Sequence, residues 1–335
     1  MRMLLWHVHG GWTDAFVRGA HTYVLPTTPD GGAWGLGRAG RDWPASVIEV
    51  APHDLADADI DVVVLQRVEE IAECERLLGR TPGRDLPAVF LEHNTPRQDI
   101  VGTVHPLADR TDIPVIHVTH FNQLFWDSGR ARTRVIEHGI VDPGYLYTGD
   151  LEQLAVVINE PVRRGRITGT DLLPGFAEVA PLEVFGMGTG LLADSPDLGP
   201  DRLRIGGDLR TAELHARLGR SRAYVHPMRW TSLGLSLLEA MHVGLPVLAL
   251  ATTEAARAVP PGAGAVSTDV ADLVRMAARL IDDPDEARSR GLVAREAALA
   301  HYGLARFLAD WDDVLVEQQE SMPGHVLSVT ERKAR

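Results

Sequence analysis

The chain has 335 residues, 45% of them hydrophobic, and a formal net charge of −13 at pH 7. That length favours two domains of ordinary size, each with its own hydrophobic core. The acidic balance argues against a nucleic-acid-binding protein, which presents a basic surface, and it gives no signal for a face that binds anionic membranes.

Short apolar runs alternate with helical patterns along the first half of the chain, which is typical of a parallel sheet built from βαβ units. The runs predict strands at residues 3–8, 21–25, 46–50, 61–66, 88–92, 114–118 and 134–138. The opening residues fit a first strand better than a signal peptide. The single cysteine, Cys74, lies on a predicted helix and has no partner for an internal disulfide, so we expect a cytoplasmic protein.

The second half continues this alternation, with strands predicted at residues 154–159, 182–186, 203–206, 222–226, 246–250 and 264–266. Turn-rich residues between Val141 and Glu152 place the break between the halves there. Helices follow at residues 285–300 and 304–318, and the second carries apolar side chains at helical spacing. We expect the residues from Gly324 onward to form a disordered tail.

Residues 224–247 are the most informative part of the sequence. An apolar strand runs into a proline-containing loop, and Thr231 and Ser232 then offer a cap for a helix. An apolar stripe continues that helix, and Gly244 followed by Pro246 ends it. The pattern predicts a strand, a loop and a helix, which is also an ordinary unit of any α/β domain.

The first turn of this predicted helix favours an anion. The amides of Leu233, Gly234 and Leu235 would lie at its positive end, and Gly234 has no side chain to keep a phosphate away. Glu239 comes seven residues after Ser232, on the same face and roughly 10 Å along the axis. One helix can therefore hold a diphosphate at its tip and accept hydrogen bonds from the hydroxyls of a ribose on its flank.

The run Glu239-Ala-Met-His-Val-Gly-Leu-Pro-Val247 resembles the donor-binding signature of glycosyltransferase family 4 and its retaining GT-B relatives, Glu-Ala-Met-Ala-x-Gly-x-Pro-Val. The family also carries a Glu-x7-Glu pair, whose second member falls on Glu239. The first member falls on Thr231, so the chain departs from the family at a position often used near the transferred sugar.

The resemblance implies the GT-B architecture, an α/β fold of two Rossmann-like, doubly wound parallel-sheet domains that face a cleft. It assigns residues 1–148 to an acceptor domain and 149–302 to a nucleotide-sugar donor domain. Residues 303–320 would form a C-terminal helix that crosses back to the first domain, and 321–335 would be the tail.

The resemblance extends to residues 135–142 and 182–188, and less closely to residues 157–165. In that last segment Asn159 stands at the family's arginine and Arg164 at its lysine, the two residues that grip the donor diphosphate. The chain has one lysine, Lys333, in its polar tail, which excludes a Walker lysine or a pyridoxal Schiff base inside the fold. We expect Arg164 to hold the diphosphate, with Arg163 and Arg166 beside it, because arginine binds phosphate through two nitrogens at once. A solvated loop of arginines is the alternative.

The loop after the first predicted strand contains Gly10, Gly11 and Trp12. Two glycines at that place let the backbone approach a ligand closely, and in GT-B enzymes this loop faces the donor phosphates. A plain tight turn is the alternative for the two glycines. Trp12 is a weaker candidate for contact with the acceptor.

Polar residues also follow two later strands of the first half, at the end of a sheet where α/β proteins bind ligands. His93 could hydrogen-bond a sugar hydroxyl or the leaving group, or it could satisfy a backbone carbonyl. Many related enzymes carry a histidine there. Asn94 and His120 are candidates for contact with the acceptor.

No histidine, cysteine or carboxylate spacing in the sequence suggests a metal site, so we expect a metal-independent protein. The Asp-x-Asp at residues 57–59 precedes its strand and fits a surface turn. The glycine-dense run at residues 29–44 carries two tryptophans and two arginines, and it could bind an acceptor or serve as a mobile connector.

Together with these residues, the resemblance implies a retaining glycosyltransferase that uses a nucleotide-diphosphate sugar, UDP- or GDP-linked, and no other cofactor. Its acceptor would be a small molecule or a glycoconjugate. Two alternatives stay open: a degenerate GT-B protein kept as a nucleotide-binding scaffold, which the residues at Thr231 and Asn159 favour, and a GT-B sugar-nucleotide epimerase, which needs several acid and base carboxylates.

Overall fold

The computed structural model of the chain describes residues 1–97, 99–195 and 197–322. The described chain divides into two compact units: unit 1 is Met1–Gly139 together with residues 304–322, and unit 2 is Ile140–Gly303. The predicted boundary at 148/149 therefore lies inside unit 2. Tyr147 explains the difference, because its ring is buried in the core of unit 2 and its hydroxyl donates to the Arg222 carbonyl at 3.0 Å. The predicted tail lies outside the described residues from 323 onward, and Lys333 with it.

Unit 1 is built on a seven-stranded sheet with the order β3-β2-β1-β4-β5-β6-β7, in which all neighbours pair in parallel. Its strands are β1 (Arg2–Leu5), β2 (Thr22–Pro26), β3 (Val47–Val50), β4 (Val62–Leu65), β5 (Ala88–Glu92), β6 (Val115–His117) and β7 (Thr133–Val135). Each overlaps a predicted strand. The first three helices of the chain are α1 (Gly10–Phe16), α2 (Glu70–Leu78) and α3 (His120–Phe125).

Unit 2 is built on a six-stranded parallel sheet with the order β10-β9-β8-β11-β12-β13. Its strands are β8 (Leu151–Val157), β9 (Leu182–Phe185), β10 (Leu203–Gly207), β11 (Ser221–His226), β12 (Val247–Leu250) and β13 (Gly264–Ser267). Helices α4 (Pro161–Arg164), α5 (Leu173–Ala177), α6 (Thr211–Leu218), α7 (Leu235–Val243), α8 (Ala255–Ala258), α9 (Val270–Asp282) and α10 (Pro284–His301) accompany them. The neighbouring strands β11 and β12 are buried along their whole length, as expected for a parallel sheet that is covered on both faces, and every side chain of β12 is apolar.

The last described helix, α11 (Leu304–Glu320), follows unit 2 in the sequence but packs in the core of unit 1. Trp311 is 1% exposed, and its ring lies 5.5 Å from that of Trp12 and 5.1 Å from that of Phe16. His21 and Asp312 add a 2.7 Å contact between side chains. The predicted crossing of the last helix back to the first unit is therefore confirmed. None of the described helices combines the length and apolarity needed to cross a membrane.

Candidate functional site

The loop between β11 and α7 is longer than the sequence pattern predicts. Helix α7 begins at Leu235 and its cap is Gly234, whose backbone is extended (φ −70°, ψ 122°). The predicted cap at Thr231 and Ser232 is wrong, because the first turn closes on Gly234 through a 3.0 Å bond from the Leu237 amide. Gly244 ends the helix in the left-handed conformation (φ 100°), as predicted.

Packing explains why residue 234 is a glycine. A Cβ at this position would lie 2.5 Å from Cε1 of His226, so any side chain would collide with the imidazole. The amides that head the helix are those of Leu235 and Ser236, one to two residues later than predicted. Because these amides carry the positive end of the helix dipole, the first turn of α7 can still receive an anion.

Glu239 lies one turn along α7, four residues after Leu235 and roughly 6 Å along the axis. The predicted distance of two turns is corrected, since the helix starts later. The Glu239 side chain is 19% exposed, and its Oε2 lies 3.8 Å from Nε2 of His215 on α6. The carboxylate is therefore partly open to solvent and close to the helix tip.

Buried polar groups lie beneath the first turn of α7. The Tyr224 hydroxyl donates to Oγ of Ser236 at 2.9 Å, and burial raises the pKa of that tyrosine. Burial also lowers the pKa of His226 to about 4, so its imidazole is neutral at pH 7. Sequence reasoning missed these groups, although polar residues on a fully buried strand such as β11 are themselves a signal.

The arginines after β8 differ in their surroundings. Arg163 pairs with Glu160 and Arg166 with Asp171, and their side chains are 73% and 76% exposed. Arg164 is half-buried at the end of α4, and its amide donates to the Glu160 carbonyl at 2.9 Å. Arg164 is therefore set apart from its neighbours by burial.

Asn159, at the position of the family's arginine, supports the backbone of a neighbouring loop. Its Oδ1 accepts a 3.0 Å hydrogen bond from the Met187 amide, in the loop that follows β9. The same oxygen lies 2.8 Å from where a Cβ of Gly186 would stand. The side chain thus has a local structural role.

In unit 1, His93 and His9 follow β5 and β1, and their ring centroids lie 3.8 Å apart with the ring planes tilted by 42°. His93 Nε2 lies 3.0 Å from Oε1 of Gln66, whose Nε2 donates to the Trp6 carbonyl at 2.8 Å. Because the Gln66 oxygen accepts, this network assigns the proton of His93 to Nε2. Nδ1 of His93 is then a hydrogen-bond acceptor.

His138, after β7, completes this histidine cluster (His9, His93 and His138). It is 5% exposed, and its Nδ1 makes no hydrogen bond within the described residues. Burial lowers the pKa of His9 to about 4 and that of His138 to about 3, and burial together with the neighbouring imidazoles holds the pKa of His93 well below its ordinary value. All three imidazoles are therefore neutral at pH 7, and they can hydrogen-bond a hydroxyl without supplying charge.

The glycines after β1 form a helix start and not a tight turn, since α1 begins at Gly10. A Cβ on Gly10 would lie 2.3 Å from Nη2 of Arg41, so the glycine makes room for that guanidinium. Gly11 is the exposed second residue of α1. Trp12 is 1% exposed and packs on Phe16 in the core, and the suggestion that it contacts an acceptor is corrected for that reason.

The remaining acceptor candidates lie after β5 and at α3. The backbone N–H of Asn94 donates to Oε1 of Glu92 at 2.6 Å, and the side-chain Oδ1 of Asn94 accepts from Arg97 at 2.9 Å. His120 is exposed at the start of α3.

The glycine-dense run at residues 29–44 is held in place by hydrogen bonds within unit 1. Arg38 donates to three carbonyls of its own neighbourhood, and Trp43 Nε1 donates to Oδ1 of Asp14 at 2.9 Å. The guanidinium of Arg67 lies 3.9 Å from the ring centre of Trp34. Within the described ranges, no three histidine, cysteine, aspartate or glutamate side chains converge in a way that could hold a metal ion.

Comparison with known proteins connects the region of α7 to a family. Residues 195–296, which contain β10 to β13 with α6 and α7, match the model described as glycosyl transferases group 1. A search of the curated proteins finds no match.

Solved structures with the same fold include sucrose-phosphate synthase from Thermosynechococcus elongatus, with a TM-score of 0.69 and 14% identity over 95% of this chain and 98% of that one. HepE of Anabaena in complex with UDP-glucose has a TM-score of 0.67 and 16% identity over 95% of this chain and 100% of HepE. TarM of S. aureus in complex with UDP has a TM-score of 0.59 and 14% identity over 76% of this chain. The chain spans 55% of the length of TarM. The chain has two parallel-sheet α/β units, and helix α11 follows unit 2 in the sequence but packs in unit 1. Together with these matches, this arrangement identifies the GT-B fold.

Proposed function

We propose that the protein is a glycosyltransferase that moves a sugar from a nucleotide-diphosphate sugar to an acceptor. The observation that carries the proposal is the first turn of α7 with Glu239 one turn along it, inside the segment that matches the group 1 transferases. The amides of Leu235 and Ser236 would hold the diphosphate, and Glu239 would accept hydrogen bonds from the ribose. UDP is the nucleotide we favour, because both HepE and TarM are solved with UDP or UDP-glucose.

The reaction breaks the bond between the anomeric carbon and the diphosphate oxygen, so negative charge develops on the departing diphosphate. In our proposal the α7 amides and the guanidinium of Arg164 stabilise that charge. The residues of the preceding loop, Thr231 to Leu233, would border the donor. Arg163 and Arg166 each hold a carboxylate, and we give them a supporting role.

We further propose retention of the anomeric configuration, without a metal ion or another cofactor. Retaining hydrolases use two carboxylates about 5 Å apart, one of them a nucleophile. In the site proposed here the nearest partner of Glu239 is His215, so the carboxylate serves the ribose. The acceptor would attack from the face that the diphosphate leaves, and the leaving phosphate would take its proton. Neutral His93 would hydrogen-bond a sugar hydroxyl or the leaving group.

The decisive experiment compares UDP binding to the wild type and to Glu239→Gln by calorimetry. We expect the substitution to weaken binding by roughly 1–3 kcal/mol, because the charged hydrogen bonds to the ribose are lost. Glu213→Gln is the matched control, since Glu213 is an exposed residue of α6. Equal affinities for wild type and Glu239→Gln would refute the ribose assignment.

Metal independence has its own test. Binding of UDP and turnover of a UDP-sugar should both persist in excess EDTA. Complete loss of both, restored by Mg²⁺ or Mn²⁺, would contradict the proposal.

A catalytically degenerate nucleotide-binding protein is the second candidate. It is favoured by Asn159, whose side chain supports the Met187 backbone at the place where the family has a phosphate-binding arginine. Release of UDP from a UDP-sugar in the presence of mixed acceptors separates the two, since a scaffold binds UDP but releases none from the donor.

A further inference from the structure

His215 on α6 is a buried histidine that the proposed chemistry has not used. It is 5% exposed, and its Nε2 makes no hydrogen bond within the described part of the chain. The nearest acidic group is Glu239 on α7, whose Oε2 lies 3.8 Å from that nitrogen. The pair places an imidazole next to the carboxylate that we assign to the ribose.

The position of His215 is fixed by its helix. Leu218, one turn along α6, is fully buried in the same cluster as Leu237 and Leu238 of α7, and Leu214 packs against that cluster. An apolar side chain at position 215 could occupy this buried position without placing an unpaired nitrogen there. A buried nitrogen without a partner costs about 1–3 kcal/mol, so its presence calls for a compensating role.

The distance between the two groups indicates what that role is. A hydrogen bond from an imidazole nitrogen to a carboxylate oxygen spans about 2.7–3.2 Å, so a small rotation of the Glu239 side chain closes the gap. The Glu239 side chain is 19% exposed, and the backbone of α7 is fixed by its packing in the core. The carboxylate can therefore move only by rotation about the side-chain torsion angles. A donor next to the carboxylate selects one of its orientations.

We infer that His215 is a positioning residue for nucleotide binding: its Nε2–H donates to Glu239 and holds the carboxylate in the orientation that receives both ribose hydroxyls. The inference rests on the proposed function of the α7 site. The ligand class it specifies is a ribonucleoside diphosphate, because a sugar without the 2′ and 3′ hydroxyls has nothing for the oriented carboxylate to bind.

The test is calorimetry of the full chain with two probes, UDP and 2′,3′-dideoxyuridine 5′-diphosphate. We expect His215→Leu to weaken UDP binding at least about fivefold and to leave the Kd for the dideoxy analogue as in the wild type. His215→Gln should retain most of the UDP affinity, because its amide nitrogen reaches about as far as Nε2. His215→Asn is too short to reach Glu239 and should behave like His215→Leu, which provides a second variant if the leucine impairs folding.

A double-mutant cycle and a surface control complete the experiment. His215→Leu combined with Glu239→Gln should bind UDP no more weakly than Glu239→Gln alone, since the histidine acts only through the carboxylate. His301→Leu, an exposed site on α10, controls for the substitution itself.

The outcomes separate the inference from the function on which it rests. Equal losses for UDP and its dideoxy analogue, or additive losses in the double variant, would show a general packing role and overturn the inference alone. Wild-type affinity for UDP in His215→Leu and His215→Asn would do the same. A wild-type protein that binds none of UDP, GDP, TDP and ADP would overturn the proposed function, and the inference with it.

Discussion

The two units differ in the chemistry that they place after their parallel strands. In unit 1 the side chains are the neutral imidazoles of the histidine cluster, with lowered pKa values and two ring centroids only 3.8 Å apart. In unit 2 they are a helix tip, a half-buried arginine and a partly exposed carboxylate. Fixed charge and helix amides suit a diphosphate, whereas neutral imidazoles suit uncharged hydroxyls. In the proposed function, unit 2 would therefore hold the diphosphate and unit 1 would hydrogen-bond uncharged sugar hydroxyls.

The cores differ as well. Around α11, unit 1 is rich in aromatic residues, with Trp12, Phe16 and Trp311 in mutual contact. Unit 2 packs α7 against α10 with small residues, among them Ala240 and Ala294, both fully buried. Large rings concentrate burial in few side chains, so single substitutions should have larger effects in unit 1.

The largest effect is expected for Trp311→Ala. This side chain is 1% exposed and its removal leaves a cavity among aromatic rings, which should cost about 3–5 kcal/mol of stability. Urea unfolding of the variant measures the loss. Val316→Ala on the same helix, at a residue 42% exposed, should change stability by less than about 0.5 kcal/mol. Similar costs for the two substitutions would contradict the contrast between the cores.

A smaller effect concerns acid. Burial lowers the pKa of His138 in the folded protein to about 3, whereas in the unfolded chain the pKa has its ordinary value of 6.5. Between these values the unfolded state binds more protons, so stability falls as the pH is lowered. From pH 6.5 to about pH 5 this histidine should account for a loss of about 1.5 kcal/mol.

His138→Asn removes this titration. Urea unfolding at the two pH values should show a pH-dependent loss smaller by about 1.5 kcal/mol in the variant than in the wild type. The comparison of slopes cancels any change in stability that the substitution causes at every pH. An unchanged slope would mean that His138 is not held neutral, and the contrast between a neutral and a charged site would weaken.

The smallest effect is expected for Arg164, the half-buried arginine of unit 2. Arg164→Ala should lower turnover of a nucleotide-sugar at least tenfold, about 1.4 kcal/mol in the barrier, because the departing diphosphate loses a cation. Arg164→Lys should recover only part of the rate, since an ammonium does not bind two phosphate oxygens in a plane. Arg163→Ala should be milder, because that side chain is exposed and pairs with Glu160. A wild-type rate in Arg164→Ala would place the phosphate-binding cation elsewhere.

Much of the fold could be predicted from local pattern. Val62–Leu65 and Ala88–Glu92 form buried strands. Parallel sheets are covered on both faces, so their strands are runs of consecutive apolar residues that can be recognised in the sequence. The spacing of Phe307, Trp311 and Val314 likewise predicts a one-sided helix. The resemblance to the GT-B family predicted, in addition, that this helix packs on the first unit.

Details of the site could not be predicted, because they depend on contacts between distant segments. Thr231 and Ser232 are residue types that commonly cap helices, yet α7 is capped by Gly234 and starts at Leu235. At Gly234 the imidazole of His226 leaves no room for a side chain, which the local sequence does not reveal. His9 and His138 meet His93 only because the sheet brings the ends of β1, β5 and β7 together. His215 is a polar residue on the buried face of α6, and that mismatch is the signal that could have identified it.

The place of α11 in the sequence has a consequence for the order in which the chain is made. Unit 1 begins at the first residue, but its aromatic core is completed by Phe307 and Trp311, which leave the ribosome after every residue of unit 2. Unit 2 is contiguous and can finish folding first, which reverses the usual order in which the N-terminal domain folds before its successor. Until α11 emerges, Trp12 and Phe16 lack the ring of Trp311 that packs against them, so we expect nascent unit 1 to expose aromatic surface.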